Sequence, residues 1–414
     1  MTTSNTAQPG VVRPGGRDHF NDFDLDSPEF AENYEEVLGK LVSECPVAHS
    51  DVAGGYYVVS RYEDVRACAQ DWETFSSEGG FEPGRGGDGG AKLYPVELDP
   101  PYQTRWRAAL GPYFSPRAIR TRTDDCRQQV TALLDTFIEK GQADFIDAFA
   151  AHLPGRVFFG TFLGVPFEEL PYIQEATDAA MRGPMDGRAD GWGKVAGFLD
   201  TYLTQRENEP PRGDFVDAVV EGVLDHDGNP CSREHKIFVL TDLLAGGIGT
   251  TTYMLAGMVH HLATHPEDAK RLREDPSLHA GAIEEIIRYY ASIVALGRLA
   301  TTDTEVAGTP IKKGDFLMLS FAAACRDPEL FDNPHTVDID REIALNPAFS
   351  FGPHRCIGSH IARLQATVSL EEILRRLPDV RLADGFEPAY SNSSISRNMD
   401  SLEIAFTPGP REGS

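Results

Sequence analysis

Apolar positions run longest between Ser232 and Thr264, where only glycines interrupt a helical pattern. At 1.5 Å per residue this predicts one helix of about 48 Å. Ile237 to Ala263 is apolar almost all round, which suits the buried axis of a large helical domain. Asp242, His260, His261 and three adjacent threonines argue against the membrane span that such a length would otherwise suggest. Shorter helical patterns cover Glu32–Ser43, Tyr62–Asp71, Arg120–Lys140, Asp147–Leu163, Pro171–Arg182, Trp192–Glu207 and Ala280–Tyr290. A further helix starts at Leu98 with prolines in its first turn, and another follows Gly358. Strand patterns fall at Gly55–Ser60, Ser292–Arg298 and Phe316–Ser320, with hairpins over Thr304–Asp315 and Tyr390–Ile404.

The middle of the long helix, Ala245 to Thr252, is poor helix-forming sequence, each glycine weakening it by about 1 kcal/mol relative to alanine. Two readings fit: close helix packing, or room beside the backbone for a flat cofactor with a threonine hydroxyl at hand.

Composition narrows the classes. The chain has 414 residues, 41% of them hydrophobic, and on length alone two or three domains are expected. The net charge of −26 argues against nucleic acid or an anionic membrane as partner. Six scattered cysteines with no C-x-x-C pair suit reduced, cytosolic thiols. Residues 1–16 are polar, without an export signal, and are expected as a disordered lead-in; 408–414 are expected as a flexible tail. Gly84 to Gly89 matches G-x-G-x-x-G but lacks the preceding strand and following helix, so a loop bordering a pocket is expected instead of a nucleotide site.

Phe349 to Gly358 isolates Cys356 between glycines just before a helix N-terminus. Backbone amides and the helix dipole there favour a thiolate, and the alternative is a buried core cysteine. The spacing F-x-x-G-x-x-x-C-x-G, filled by Phe349, Gly352, Cys356 and Gly358, resembles the haem-ligand loop of the cytochrome P450 family. The resemblance implies that Cys356 is the axial thiolate of a haem b iron. Ser350 departs from the pattern, standing where many members carry glycine.

The rest of the chain carries the same resemblance in order, over about Asp51 to Thr407. Gly246, Gly247 and Thr250 match the family's oxygen-binding groove, which implies that Thr250 supports proton delivery. Gly249 replaces the usual acidic residue, so Thr251, water or the substrate would have to substitute. Gln103 and Arg107 have the spacing of the arginine that faces a haem propionate, with Arg298 and His354 as further partners. Glu285 and Arg288 match the buried pair that holds the meander before the ligand loop; Thr336 takes the place of its usual third partner, with His335 adjacent. Leu93, Val294, Ala295, Leu296 and Ile395 would line an apolar substrate pocket, and Arg182 and Arg188 offer an acidic substrate a different anchor.

The resemblance implies a mainly α fold with a small β-rich region, one domain over 17–407, closest to the soluble bacterial camphor-hydroxylase kind. The implied activity is a monooxygenase that activates O2 with two electrons. It would hydroxylate or oxidatively dealkylate a small, mostly apolar substrate such as a terpenoid or aromatic. Electrons would come from a ferredoxin or flavodoxin with its NAD(P)H-dependent reductase, docking on a basic patch of Arg105, Arg107 and Arg355. A cytoplasmic monomer is expected. The alternatives are a peroxide-driven enzyme, a haem sensor or carrier, and a helical scaffold without cofactor.

Overall fold

The long apolar pattern forms the helix Arg233–Thr264, with Ser232 as N-cap accepting the His235 N–H at 3.1 Å. It stops at His265, where Pro266 opens the next helix and disfavours helical backbone at the residue before it. In this computed structural model, residues 18, 20–84, 92–165, 170–182, 185–393 and 395–412 are described. The expected lead-in at 1–16, most of the glycine pattern at 84–89 and the side chains of Arg182 and Arg188 lie outside the described residues.

Around the central helix pack the helices Leu153–Arg156, Met185–Glu207, Pro266–Glu274, His279–Tyr289 and Ser359–Arg376. The chain is about 53% helical, with small sheets beside the helices. Although the central helix is long and apolar enough to cross a membrane, Val239, Leu240, Leu244 and Tyr253 to Val259 are buried in the main core. The helix expected over Asp147–Leu163 is instead two π-helical turns, Ile146–Ala150 and Val157–Phe162, flanking Leu153–Arg156. Pro154, which has no N–H to donate, stands between them, and Thr252 of the central helix donates to the Ala150 carbonyl at 3.1 Å.

A five-stranded sheet runs in the order 47–50, 56–59, 316–319, 296–300, 75–76, antiparallel except between 56–59 and 316–319. The strand expected at Ser292–Arg298 begins only at Leu296. Residues 292–294 pair instead with the tip and second strand of the hairpin Tyr390–Ser393/Ser396–Met399: Val294 N–H donates to the Ile395 carbonyl and Arg397 N–H to that of Ser292, each at 2.8 Å. The tail expected to be loose is tied down as far as Glu412. Its amide donates to the Asp135 carboxylate at 3.2 Å, its carboxylate pairs with Arg375, and Arg376 holds the Pro410 carbonyl.

Candidate functional site

Backbone geometry shapes the cysteine loop. Asn346 caps the short turn Pro347–Phe349, after which Ser350 takes φ 59° and ψ −174°, a region almost reserved for glycine. The departure from the family pattern therefore sits at a strained position, and the Ser350 hydroxyl is buried without a partner among the described residues. Gly352 follows at φ 62°, and a Cβ there would meet the Ala69 carbonyl oxygen at 2.7 Å. The loop closes through Cys356 N–H to the Phe349 carbonyl at 2.8 Å. Arg363 lies 4.4 Å over the Phe349 ring while gripping Glu284, so the aromatic is clamped from the following helix.

Two side chains of the helix Tyr102–Leu110 brace the same loop. Gln103 donates to the Pro353 carbonyl and Arg107 to that of Arg355, each at 2.6 Å. Gln103, expected at the cofactor, thus acts on the loop backbone. Arg105, expected to be free for a partner, binds the carbonyls of Leu224 and Asp225.

All six cysteines are free, and Cys356 is the one with an accessible side chain. It lies deep in the molecule, where burial pushes its thiol pKa up; the Gly358 amide and then Arg107, Arg363 and Arg355 oppose that shift without cancelling it. The expected nest is present, yet it does not by itself hold a thiolate. A coordinating metal deprotonates such a thiol outright.

The central helix packs on Ser359–Arg376, and the charges of both Cys356 and Asp242 act on Arg107. Gly246 is exposed in the middle of this helix, and a Cβ on Gly246 or Gly247 would meet no atom of the described residues within 4 Å. This is open space beside the backbone and not close helix packing. Thr250, one turn on, donates to the Gly246 carbonyl at 2.8 Å and is partly accessible. Thr251 is buried at 4% exposure on a different face, so it does not share the opening.

Arginines gather here without a salt bridge among the described residues, although the charge of Asp99 reaches Arg298 and that of Asp242 reaches Arg107. Arg298 is 3% exposed, its Nη1 donates to its own neighbour's carbonyl at Gly297, and among the described residues no carboxylate lies within 4 Å of it. Burial pulls its pKa down to about 10. His354, whose Nε2 lies 3.1 Å from the Ser77 hydroxyl, is pushed well below its usual range by burial and then by Arg298 and Arg107. The Arg355 Nε is buried without a partner. Isolated buried cations are costly, so this set suits a bound group that brings its own carboxylates. Together with an accessible cysteine and the open glycine stripe, the residues fit a haem.

Behind the loop, Arg288 grips Glu285 through two bonds of 2.7 Å, both side chains fully buried. Arg288 also binds the carbonyls of Cys325, Pro334 and Thr336. The third partner is Arg341, its Nε 3.1 Å from Glu285. His335 points elsewhere, 3.3 Å from Glu35. Arg341 lies three residues beyond Asp338, in an irregular segment where no spacing points back to Glu285.

The expected pocket lining divides. Leu93, Leu296 and Ile395 keep partly accessible surface. Val294 and Ala295, at 1% and 0% exposure, belong instead to a second core with Phe23, Phe30 and Tyr34, because the N-terminal segment covers them. Asp242 was not among the expected site residues. Burial raises its carboxyl pKa to about 7, with the Val96 amide and Arg107 opposing and Glu97 adding to the shift. Its spacing of four and eight residues from Gly246 and Thr250 was the available signal.

Comparison with known proteins agrees with this geometry. The family model for cytochrome P450 matches residues 171–378. A steroid C26-monooxygenase of Mycobacterium tuberculosis (strain ATCC 25618 / H37Rv) is 31% identical over 369 residues, covering 87% of this chain and 90% of that one. A vitamin D(3) 25-hydroxylase of Pseudonocardia autotrophica is 29% identical, covering 94% and 97%. Among solved structures, cytochrome P450 CYP101C1 superposes with a TM-score of 0.84 at 25% identity, covering 95% of this chain and all of that one.

Proposed function

Because this chain belongs to the cytochrome P450 family and is a haem-thiolate monooxygenase, we propose that Cys356 would supply the thiolate that holds the haem iron and that the Gly246–Thr250 stripe would leave room for the haem. The observation that carries this assignment is the accessible thiol of Cys356 deep inside the molecule, beside cations that have no salt bridge among the described residues. Arg298, Arg107 and His354 would hold the haem's carboxylates, and Arg355 would reinforce them. When bound, haem activates O2 with two electrons and supports insertion of one oxygen atom into a substrate C–H bond.

Each protein group then has a limited task. Phe349, Gly352 and Gly358 fix the cysteine loop, and Gln103 holds its backbone. Glu285, Arg288 and Arg341 lock the meander that precedes it. The Thr250 hydroxyl, oriented by its bond to the Gly246 carbonyl, offers its lone pairs to the opening and relays a proton at Oγ1. Gly249 brings no carboxyl, so solvent or a polar group of the substrate supplies the proton that Thr250 passes on. Electrons come from a ferredoxin or flavodoxin with its NAD(P)H-dependent reductase. Leu93, Leu296 and Ile395 face the substrate, a mostly apolar organic molecule; the relatives named for steroid and vitamin D(3) oxidation support that class.

The test is Cys356→Ala in the haem-loaded protein. Loss of turnover together with the thiolate-type ferrous–CO band is expected; retention of that band in the variant overturns the assignment.

A further inference from the structure

On the central helix, Asp242 stands one turn before Gly246, which stands one turn before Thr250, so the three form one stripe. Gly246 is open, and Asp242, like Cys356, lies deep in the molecule while keeping accessible surface. Arg107 feels the charge of both, so carboxyl and thiol each lie near this one arginine. The groups facing Asp242 are few. Glu97 and the Val96 amide come from the segment before the helix Tyr102–Leu110, and Arg107 comes from that helix.

Among the described residues, no lysine, arginine or histidine nitrogen lies within 4 Å of the Asp242 carboxylate. Glu97 is already served by the Leu93 N–H at 2.6 Å and by Lys92 at 4.0 Å. Arg107 is bonded to the Arg355 carbonyl. The Asp242 carboxylate is thus left without an ion pair among the described residues, and burial makes its anion costly until a cation arrives. Apolar Leu93 borders the same segment, so an apolar body with one cationic group matches it better than a wholly neutral molecule.

We propose that Asp242 is a specificity-determining residue, engaging a basic nitrogen on an otherwise apolar substrate. The proposal rests on the monooxygenase reading of this chamber. The competing role for the same side chain, a neutral carboxyl donating to a substrate carbonyl, predicts no preference for a cation.

The test uses haem-loaded protein and a matched pair of probes, octyltrimethylammonium and its neutral tert-butyl carbon isostere. Neither ligates iron. Affinity is read from the haem spin-state shift and, independently, from the rise in melting temperature. Tighter binding of the ammonium is expected, and Asp242→Asn should weaken it about tenfold or more while leaving the isostere within about twofold. Asp242→Glu should restore the preference. The carboxyl ionises as pH rises through about 7, so wild-type affinity for the ammonium should climb between about pH 6 and pH 8 while that of the isostere stays level. Equal binding of ammonium by wild type and Asp242→Asn, or no preference and no pH dependence in the wild type, overturns the proposal. Should Asp242→Asn fail to fold, the wild-type pH contrast and Asp242→Glu still decide it. A thiolate-type ferrous–CO band in the wild type shows that the haem-thiolate reading stands whichever way the probes bind.

Discussion

The two sides of the site are built by opposite means. On the cysteine side, the backbone is tied: the loop closes on itself, two carbonyls are held from the helix Tyr102–Leu110, and the Ala69 carbonyl fills the space that a Cβ on Gly352 would need. On the helix side, the site is made by what is missing, since Gly246 and Gly247 place no atoms where a side chain would stand. The first arrangement fixes one sulfur in one place and tolerates little change. The second leaves room, and its chemistry is set by the neighbours of the gap, Thr250 and Asp242. A glycine can thus be required because something is close or because nothing is.

The sharpest way to break this contrast is to make the same substitution on both sides. Gly352→Ala adds a Cβ at 2.7 Å from a backbone oxygen, at a φ of 62°. We expect a loss of about 2–4 kcal/mol in stability and of most bound haem, measured by chemical denaturation and haem content. Arg298→Leu comes next in size and separates holding from folding. Removing an unpaired buried cation should stabilise the haem-free protein by about 1–3 kcal/mol while weakening haem binding, read from melting curves with and without haem. Ser350→Gly relieves a positive φ and an unpartnered hydroxyl, so a gain of about 1 kcal/mol is expected with the spectrum unchanged. Gly246→Ala should be smallest and opposite in sign to Gly352→Ala. It should gain about 0.5–1 kcal/mol in helix stability and lose affinity for bulky ligands in spin-state titrations.

Local rules made much of this legible. The central helix was expected from Ser232 and runs from Arg233 with Ser232 as cap, because a long apolar pattern and a serine before it are both local signals. The cysteine loop was legible because its function depends on backbone shape, which glycine spacing records. What failed was tertiary. Residues 292–294 carry strand-like side chains, but the Val294 amide and the Ser292 carbonyl are claimed by a hairpin about 100 residues away in sequence. Val294 and Ala295 look like pocket lining until the N-terminal segment is folded over them. Arg341 completes the Glu285 pair from a meander with no periodicity to follow. Asp242 argues against a membrane span by its charge alone, and only its helical spacing from Gly246 and Thr250 ties it to the site.

The most direct test of Cys356 as the ligand is the ferrous–CO spectrum of the haem-loaded wild-type protein. A red-shifted, thiolate-type band is predicted; a band of the imidazole-ligated type in correctly folded protein would contradict the account.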